Sequence, residues 1–193
     1  QNKLEPIEIQ VARQLEEQGR QDVKVVNRSK ITADGQVAFW KIGTGGSSAE
    51  INLLQYEAEG LARMADAANG MLAVPRPWFV GKVLLKGGGS SGFIVMDMLN
   101  TGLRGGAESQ RKLGLGLAAM HSAPPPEDWG PDLFGFPVDG CCGAMSQPNN
   151  AERRHMNWIE FWTEFRLKHQ LRSIRDPEAH ELGNEIIRRL PKL

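Results

Sequence analysis

Two oppositely charged residues, Lys41 and Glu57, occupy positions that predict a shared cleft. Lys41 ends an apolar run in which alternate residues face the same side, so it shares a face with Phe39. At about 100° per residue, Glu57 lies on the apolar face that Leu54 and Leu61 mark on the following helix. A carboxylate on that face is costly unless a cation meets it. A lysine oriented by a carboxylate is one of the parts that phosphoryl transfer needs to hold phosphates.

Each of these residues also has a simpler interpretation. Lysines are mostly exposed, so Lys41 taken alone is typical of a solvated strand edge. Glu57 can border the apolar stripe and stay hydrated, while Glu59 lies on the outer side of the same helix. The combination of a strand lysine with an inward-facing glutamate favours the ion pair over the two separate interpretations.

The elements that must position this pair are predicted from hydrophobic periodicity and turn residues. They are a helix at 5–18, a short strand at 23–26, a hairpin at 29–42 that turns at Asp34-Gly35, a helix at 49–68, strands at 74–85 and 92–99, a helix at 108–121, a turn-rich loop through residue 150 and two helices at 157–175 and 177–190. Strands segregated from a helical half predict the α+β class, with a boundary near residue 100.

Composition restricts the classes of function. Hydrophobic residues make up 40% of the 193, and 23 basic residues balance 23 acidic ones, which gives no electrostatic basis for nucleic-acid binding. The longest apolar run is far shorter than the roughly 20 residues of a transmembrane helix. The two cysteines, Cys141 and Cys142, are adjacent and form no disulfide framework. We therefore expect a soluble protein of a reducing intracellular compartment, either the cytosol or an organelle interior such as a plastid or mitochondrion.

Two adjacent segments carry a specific family pattern. Residues 134–150 read FGFPVDGCCGAMSQPNN, and residues 158–171 read WIEFWTEFRLKHQL. They resemble the fructosamine kinase family (protein-ribulosamine 3-kinase, ketosamine-3-kinase), whose members carry F-G-F…C-C-G…Q-x-N followed by W-x-x-F-(F/W)-x-x-x-R-L-x-x-Q-L. The resemblance spans about residues 37–193 and covers only the amino-terminal part of a family member.

The resemblance implies a protein-kinase-like architecture. Residues 1–99 would form the N-lobe, an antiparallel sheet with a helix, and residues 100–193 would form a partial helical C-lobe that lacks the catalytic loop. The helix at 108–121 matches the family pattern L-G-x-x-L-A-x-(M/L)-H. Its stripe of Leu113, Leu117 and Met120 is expected to face the core.

The same resemblance implies roles for individual residues. Full-length relatives would use ATP and magnesium to phosphorylate the 3-hydroxyl of a sugar attached to a protein lysine, so glycated proteins would be their partners. The implied nucleotide-binding residues are Lys41 and Glu57 at the phosphates, Met96 at the back of the adenine pocket, and Asp97, Met98 and Leu99 at its edge. The implied residues on the sugar-amine side are Gln147, Asn149, Trp158 and Arg166.

The chain departs from the family pattern in two places. The stretch equivalent to the family's glycine-rich phosphate loop has no glycine between Gly19 and Gly35, which leaves ATP binding open. No H-G-D, H-R-D or D-F-G triplet occurs in the 193 residues, so we expect no catalytic or metal-binding residue within this chain. The alternative hypothesis is a non-catalytic, kinase-derived scaffold that binds other protein subunits. A relationship to aminoglycoside or choline kinases is disfavoured by the F-G-F…C-C-G segment.

Overall fold

The chain divides by its internal contacts into two compact units, Gln1–Pro124 and Pro125–Leu193. The computed structural model describes residues 4–43, 48–102, 105–127, 129–130, 133–143 and 145–192, and it leaves the side chains of 48–50 undescribed. The predicted helix at 108–121 lies within the first unit. The predicted lobe boundary near residue 100 stays a prediction.

The first unit contains an antiparallel five-stranded sheet in the order β1-β2-β3-β5-β4. Its elements are α1 (Ile7–Glu17), β1 (Lys24–Asn27), β2 (Lys30–Ala33), β3 (Gln36–Ile42), α2 (Ser48–Ala68), β4 (Pro77–Leu84), β5 (Ser90–Asp97) and α3 (Ala107–His121). The α+β class predicted from the sequence is confirmed.

Local sequence explains the boundaries that frame Lys41 and Glu57. The β2–β3 turn uses Asp34 and Gly35 at φ +53° and +72°, as expected for a tight hairpin turn with both central residues at positive φ. Helix α2 ends before Asn69 and Gly70, which have φ +44° and +77° and therefore cannot continue a right-handed helix. The two ends of the β3–α2 segment are thus fixed by residues that tolerate positive φ.

The sheet buries both of its faces. On one face, α1 contributes Val11 and Leu15 to a cluster that includes Trp40 and Phe93. On the other face, a smaller cluster joins α2 to the sheet through Leu54, Ile94 and Met96. Because successive strand residues point to opposite faces, odd positions of β3 face α2 and even positions face α1.

Two glutamines of α1 cover the backbone of the outer strand β4. Gln10 accepts a hydrogen bond from Leu84 N at 2.8 Å and donates to Leu84 O at 3.1 Å. Gln14 donates to Lys82 O at 2.7 Å. An edge strand otherwise presents unpaired backbone groups, and these side-chain amides provide hydrogen-bond partners for some of them.

Helix α3 does not bury the stripe predicted for it. Leu113 and Leu117 are 40% and 37% exposed, and Met120 is only half-buried. The buried residue of α3 is Gly116, and a Cβ there would lie 3.1 Å from Leu72. The helix therefore makes its close contact within the first unit through a small residue, which leaves the leucines outside.

The second unit combines a short hairpin with helices. Its elements are β6 (Gly140–Cys142), β7 (Met145–Gln147), α4 (Trp158–Trp162), a π-helical segment (Thr163–Leu167), α5 (Lys168–Leu171), α6 (Pro177–Arg189) and a 3-10 turn (Leu190–Lys192). The hairpin lies where the sequence predicted only a loop, and the predicted helix at 157–175 contains the π-helical segment and ends at Leu171. Within the described ranges, no helix combines the length and apolar character needed to cross a bilayer.

Candidate functional site

Lys41 and Glu57 form an ion pair between the sheet and α2. The Lys41 Nζ lies 2.8 Å from Glu57 Oε1. Lys41 is opposite Ile94 in the β3–β5 register, and Ile94 packs with Leu54 of α2. The two charged side chains are 42% and 34% exposed, so the pair lies at the border of the apolar contact and is open to solvent. The predicted contact is present, whereas its role in nucleotide binding stays a prediction.

The strand next to this pair ends at the segment proposed for adenine. Met96 is 6% exposed and packs in the α2-side cluster, so it lies inside the unit. The next residues along the chain leave the sheet: Asp97 is half-buried, and Met98 and Leu99 are 39% and 37% exposed. We call residues 97–99 the hinge segment.

The carboxylate of Asp97 is occupied by protein donors. Its Oδ1 accepts from Trp78 Nε1 at 2.7 Å, and its Oδ2 accepts from Arg76 N at 3.0 Å. The Asp97 backbone N–H donates in turn to Arg76 O at 2.9 Å. Sequence reasoning placed Asp97 at the adenine edge but missed Trp78, because their contact depends on the register between β4 and β5.

The β1–β2 turn, which contains no glycine, is held by its own side chains and by Trp40. Asn27 Oδ1 accepts from the Ser29 N–H at 2.9 Å and from its Oγ at 3.2 Å. The indole of Trp40 donates to Asn27 O at 2.7 Å, and the Trp40 N–H donates to Ser29 O at 3.1 Å. This turn is fixed by hydrogen bonds rather than by glycine conformations.

In the second unit, three of the four predicted sugar-side residues form one cluster. Arg166 donates to Asn149 Oδ1 at 2.6 Å and to Pro148 O at 2.6 Å. With its amide oriented to accept, Gln147 receives bonds from Arg166 Nη2 at 3.3 Å and Nε at 3.1 Å. We call Gln147, Asn149 and Arg166 the Arg166 cluster. Its guanidinium also lies 4.8 Å from the centre of the Phe161 ring.

The fold of loop 134–150 depends on two adjacent buried asparagines. Asn149 is 2% exposed and donates to Val138 O at 3.1 Å. Asn150 is 3% exposed, has φ +56°, and donates to Phe134 O and Arg154 O, each at 2.9 Å. The sequence pattern drew attention to Asn149 and missed Asn150, although a second asparagine beside a Gly-rich loop is itself typical of a structured turn.

A family model shows to which protein family the chain belongs. The model for fructosamine kinase matches residues 4–192. The chain belongs to the fructosamine kinase family. The pattern of residues 134–150 and 158–171 therefore identified this family correctly.

Curated relatives and a solved structure extend the comparison. A probable ketoamine kinase of Synechocystis is 35% identical over 118 residues, which cover 60% of this chain and 35% of that protein. The chloroplastic protein-ribulosamine 3-kinase of Arabidopsis thaliana is 32% identical over 142 residues, which cover 72% of this chain and 40% of that protein. The chain thus spans less than half the length of these relatives.

The fold likeness extends to a crystal structure. A Haemophilus somnus protein described as a fructosamine-3-kinase superposes with a TM-score of 0.57 at 21% identity, covering 86% of this chain and 56% of that one. At this identity the likeness establishes the fold alone. The kinase-like fold predicted from the sequence is confirmed.

The fourth predicted sugar-side residue of this fructosamine kinase family member, Trp158, belongs to an aromatic stack. A capping box between Asn157 and Glu160 begins α4 immediately before it. The ring of Trp158 stacks on Trp162 with centres 6.1 Å apart and remains 48% exposed. The structure thus places Trp158 on α4 and the Arg166 cluster between the hairpin and the π-helical segment.

The acidic and sulfur-containing side chains of the described residues provide no metal centre. In that part of the chain, no group of three or more His, Cys, Asp or Glu could hold a metal ion. Cys141 is half-buried, Cys142 is exposed, and both are free thiols.

Proposed function

We propose that this chain is the nucleotide-binding portion of a fructosamine or ribulosamine kinase. Such an enzyme phosphorylates the 3-hydroxyl of ketosamines on glycated proteins, with ATP and magnesium. ATP supplies the phosphoryl group when bound, and the chain supplies positioning and charge. The Lys41–Glu57 ion pair carries this proposal, because a solvent-accessible ammonium held by a helix carboxylate is suited to phosphate oxygens.

The roles that we propose for the other residues are those that the family resemblance implies, and their surroundings support them. Met96 would form the inner wall of the adenine site, because it is buried beside α2. The backbone of the hinge segment, which follows it, would bind the base. The Arg166 cluster would shape the sugar-amine side through the backbone of loop 134–150, since the donors of Arg166 are directed at that loop. Trp158 would offer an exposed aromatic face beside that side of the site.

A second candidate function is a scaffold that binds other protein subunits without catalysis. Two observations favour it. The β1–β2 turn is closed by Asn27 and Ser29 rather than left open by glycines for phosphate. The exposed leucines of α3 also provide apolar surface of the kind that partner proteins cover.

We also propose that the chain works in a reducing intracellular compartment. Two free thiols fit a reducing intracellular environment. A plastid is one candidate, because the Arabidopsis relative is chloroplastic.

Titration with ATP and magnesium distinguishes the two functions. A nucleotide that binds the native state raises thermal stability by mass action. We expect the melting temperature of the wild-type chain to rise with millimolar ATP, and the rise to be mostly lost in Lys41→Met and Glu57→Gln. Because a half-exposed ion pair is worth only about 0–1 kcal/mol, these variants should melt near wild type without ATP.

The matched control is Lys86→Met, which removes an exposed lysine from the β4–β5 connection. It should retain the full response to ATP. A wild-type chain that does not respond to ATP would favour the scaffold. An equal response in wild type and Lys41→Met would remove Lys41 from the nucleotide site.

A further inference from the structure

Trp78 and Asp97 join the start of β4 to the end of β5 at the point where the sheet gives way to the hinge segment. Three hydrogen bonds make this junction. The Asp97 carboxylate accepts one from the Trp78 indole and one from the Arg76 N–H, and the Asp97 N–H donates the third to Arg76 O. A carboxylate that already accepts two hydrogen bonds from protein donors would lose them by turning to a ligand. Asp97 is therefore better suited to holding the backbone than to touching a nucleotide.

A β-bulge explains why the indole of Trp78 reaches this carboxylate. In the β4–β5 register Pro77 is opposite Met96 and Phe79 is opposite Val95, so Trp78 is the extra residue on β4. A bulge of this kind bends the strand and redirects a side chain. The indole N–H consequently lies 2.7 Å from Asp97 Oδ1 instead of following the alternation of the sheet.

The indole ring is itself held from a third element. The guanidinium of Arg20, in the connection after α1, lies 4.4 Å from the ring centre of Trp78. Arg20 is oriented by Asp34 in the β2–β3 turn, with Nη1 2.8 Å from Oδ2. The ring is thus constrained on one face by a cation–π contact and at its edge by the bond to Asp97.

Asp97 is the residue that anchors the hinge segment to the sheet, and the two residues after it are exposed. It is the last β5 residue paired with β3, opposite Ala38, and the side chains of Met98 and Leu99 are more than a third exposed. Binding groups must be held within about 0.5 Å to discriminate between ligands. Backbone groups that recognise a base here need such support.

We propose that Trp78 and Asp97 are a positioning pair that sets the backbone of the hinge segment, and thereby the preference for adenine over guanine. The assignment of the base rests on the function proposed above. The support of the hinge by the pair rests on the bulge and the three hydrogen bonds.

Trp78→Phe tests the pair, because it keeps a six-membered aromatic ring under Arg20 and removes the pyrrole part of the indole with its N–H. We expect about tenfold weaker ATP binding by calorimetry, equivalent to 1.4 kcal/mol, with a smaller change for GTP. The preference for ATP over GTP should narrow. Asp97→Ala, which removes the acceptor of the Trp78 N–H and that of the Arg76 N–H, should weaken ATP binding at least as much, and adding Trp78→Phe to it should cost little more, since the bond between the two side chains is already lost.

Trp129→Phe is the matched control, because Trp129 Nε1 has no hydrogen-bond partner within the described residues. It should leave affinity and base preference unchanged. Unchanged preference in Trp78→Phe, or additive effects in the double variant, would overturn the positioning pair. A merely structural weakening would lower ATP and GTP affinity equally.

Amide hydrogen exchange separates this inference from the proposed function. Exchange at residues 97–99 should accelerate in Trp78→Phe with or without nucleotide. If the wild-type chain binds neither ATP nor GTP, the proposed function fails, and accelerated exchange would still support the hinge role of the pair. Unchanged exchange at residues 97–99 would overturn it.

Discussion

Two glutamates on α2, separated by one residue, make different ion pairs. Glu57 reaches Lys41 on the sheet at 2.8 Å, whereas Glu59 pairs with Arg63 one helical turn further along at 2.7 Å. A rotation of about 200° separates two positions that are two residues apart. Helix geometry alone thus assigns Glu57 to the sheet and Glu59 to the helix surface.

Asp34 should make stability depend on pH in the acidic range. The hydrogen bond from Arg20, and then that from the Gln21 N–H, hold the pKa of Asp34 below its ordinary value. A carboxyl whose pKa is lower in the folded chain stabilises it fully above the ordinary pKa of about 3.9, and this contribution is lost as pH falls through the depressed value. Asp34→Asn should therefore melt below wild type at pH 7, with the difference shrinking below about pH 4.

Thermal melts followed by circular dichroism across this pH range measure that difference. Asparagine tolerates the positive φ of residue 34, so the substitution isolates the charge from the turn. Added salt should also reduce the difference at pH 7, because both side chains are partly exposed. A difference that stays constant from pH 7 to pH 2 would mean that the carboxylate contributes nothing through its charge.

The Lys41–Glu57 contact was predictable, and the Trp78–Asp97 contact was not. The first follows from alternation in a strand and 3.6 residues per turn in a helix, together with the family resemblance, which singles out a strand lysine and a helix glutamate as partners. The second requires one extra residue in β4, and a bulge breaks the alternation on which such a prediction depends. Periodicity predicts where these side chains lie, but it does not predict which ligand they would bind.

Loop 134–150 is an element organised by close backbone approach at Gly135. This glycine has φ +112°, and an added Cβ would overlap the carbonyl oxygen of Asn149 and lie 2.9 Å from the Phe161 ring. The Phe136 N–H donates to the same carbonyl at 2.6 Å. Any side chain at residue 135 would therefore separate the two arms of the loop.

Gly135→Ala should destabilise the second unit by about 1–3 kcal/mol, the usual cost of overpacking. The overlap involves a backbone carbonyl oxygen, which cannot move aside as a flexible side chain can. The control is Gly143→Ala: Gly143 also has positive φ, +61°, but no atom lies within 4 Å of the added Cβ. Its cost should be roughly 1 kcal/mol. Urea unfolding, combined with amide exchange at residues 134–150, measures the loss of unfolding free energy in each variant. Equal losses in the two variants would contradict a stabilising role for the close approach at Gly135.

The π-helical segment shows why this element could not be predicted in full. The periodicity of Trp158, Phe161 and Phe165 indicates a helix but does not reveal an added residue within a turn. The segment contains Arg166, whose donors reach Pro148 and Asn149. π-Helical turns are often found at functional sites, and here the turn accompanies the side chain that connects helix and loop.

At the scale of the whole molecule, the two units differ in the interactions that stabilise each of them internally. Both buried apolar clusters of the sheet lie within Gln1–Pro124. In the second unit, Arg166 joins the helical segment to the buried Asn149 of a long loop, and the buried Asn150 connects parts of that loop to one another. Phe161 and Leu171 are buried apolar residues of the helical segment. The first unit therefore contains the apolar core expected of an independently folding domain.

A fragment of residues 1–124 tests whether the proposed nucleotide-binding residues are sufficient. Lys41, Glu57 and the hinge segment all lie in it. We expect the fragment to unfold cooperatively and to be stabilised by ATP and magnesium by the same free energy as the whole chain, since one-site stabilisation depends only on affinity and ligand concentration. The fragment with Lys41→Met is its internal control and should not respond. A folded fragment that loses the response of the whole chain would assign part of the nucleotide affinity to residues 125–193.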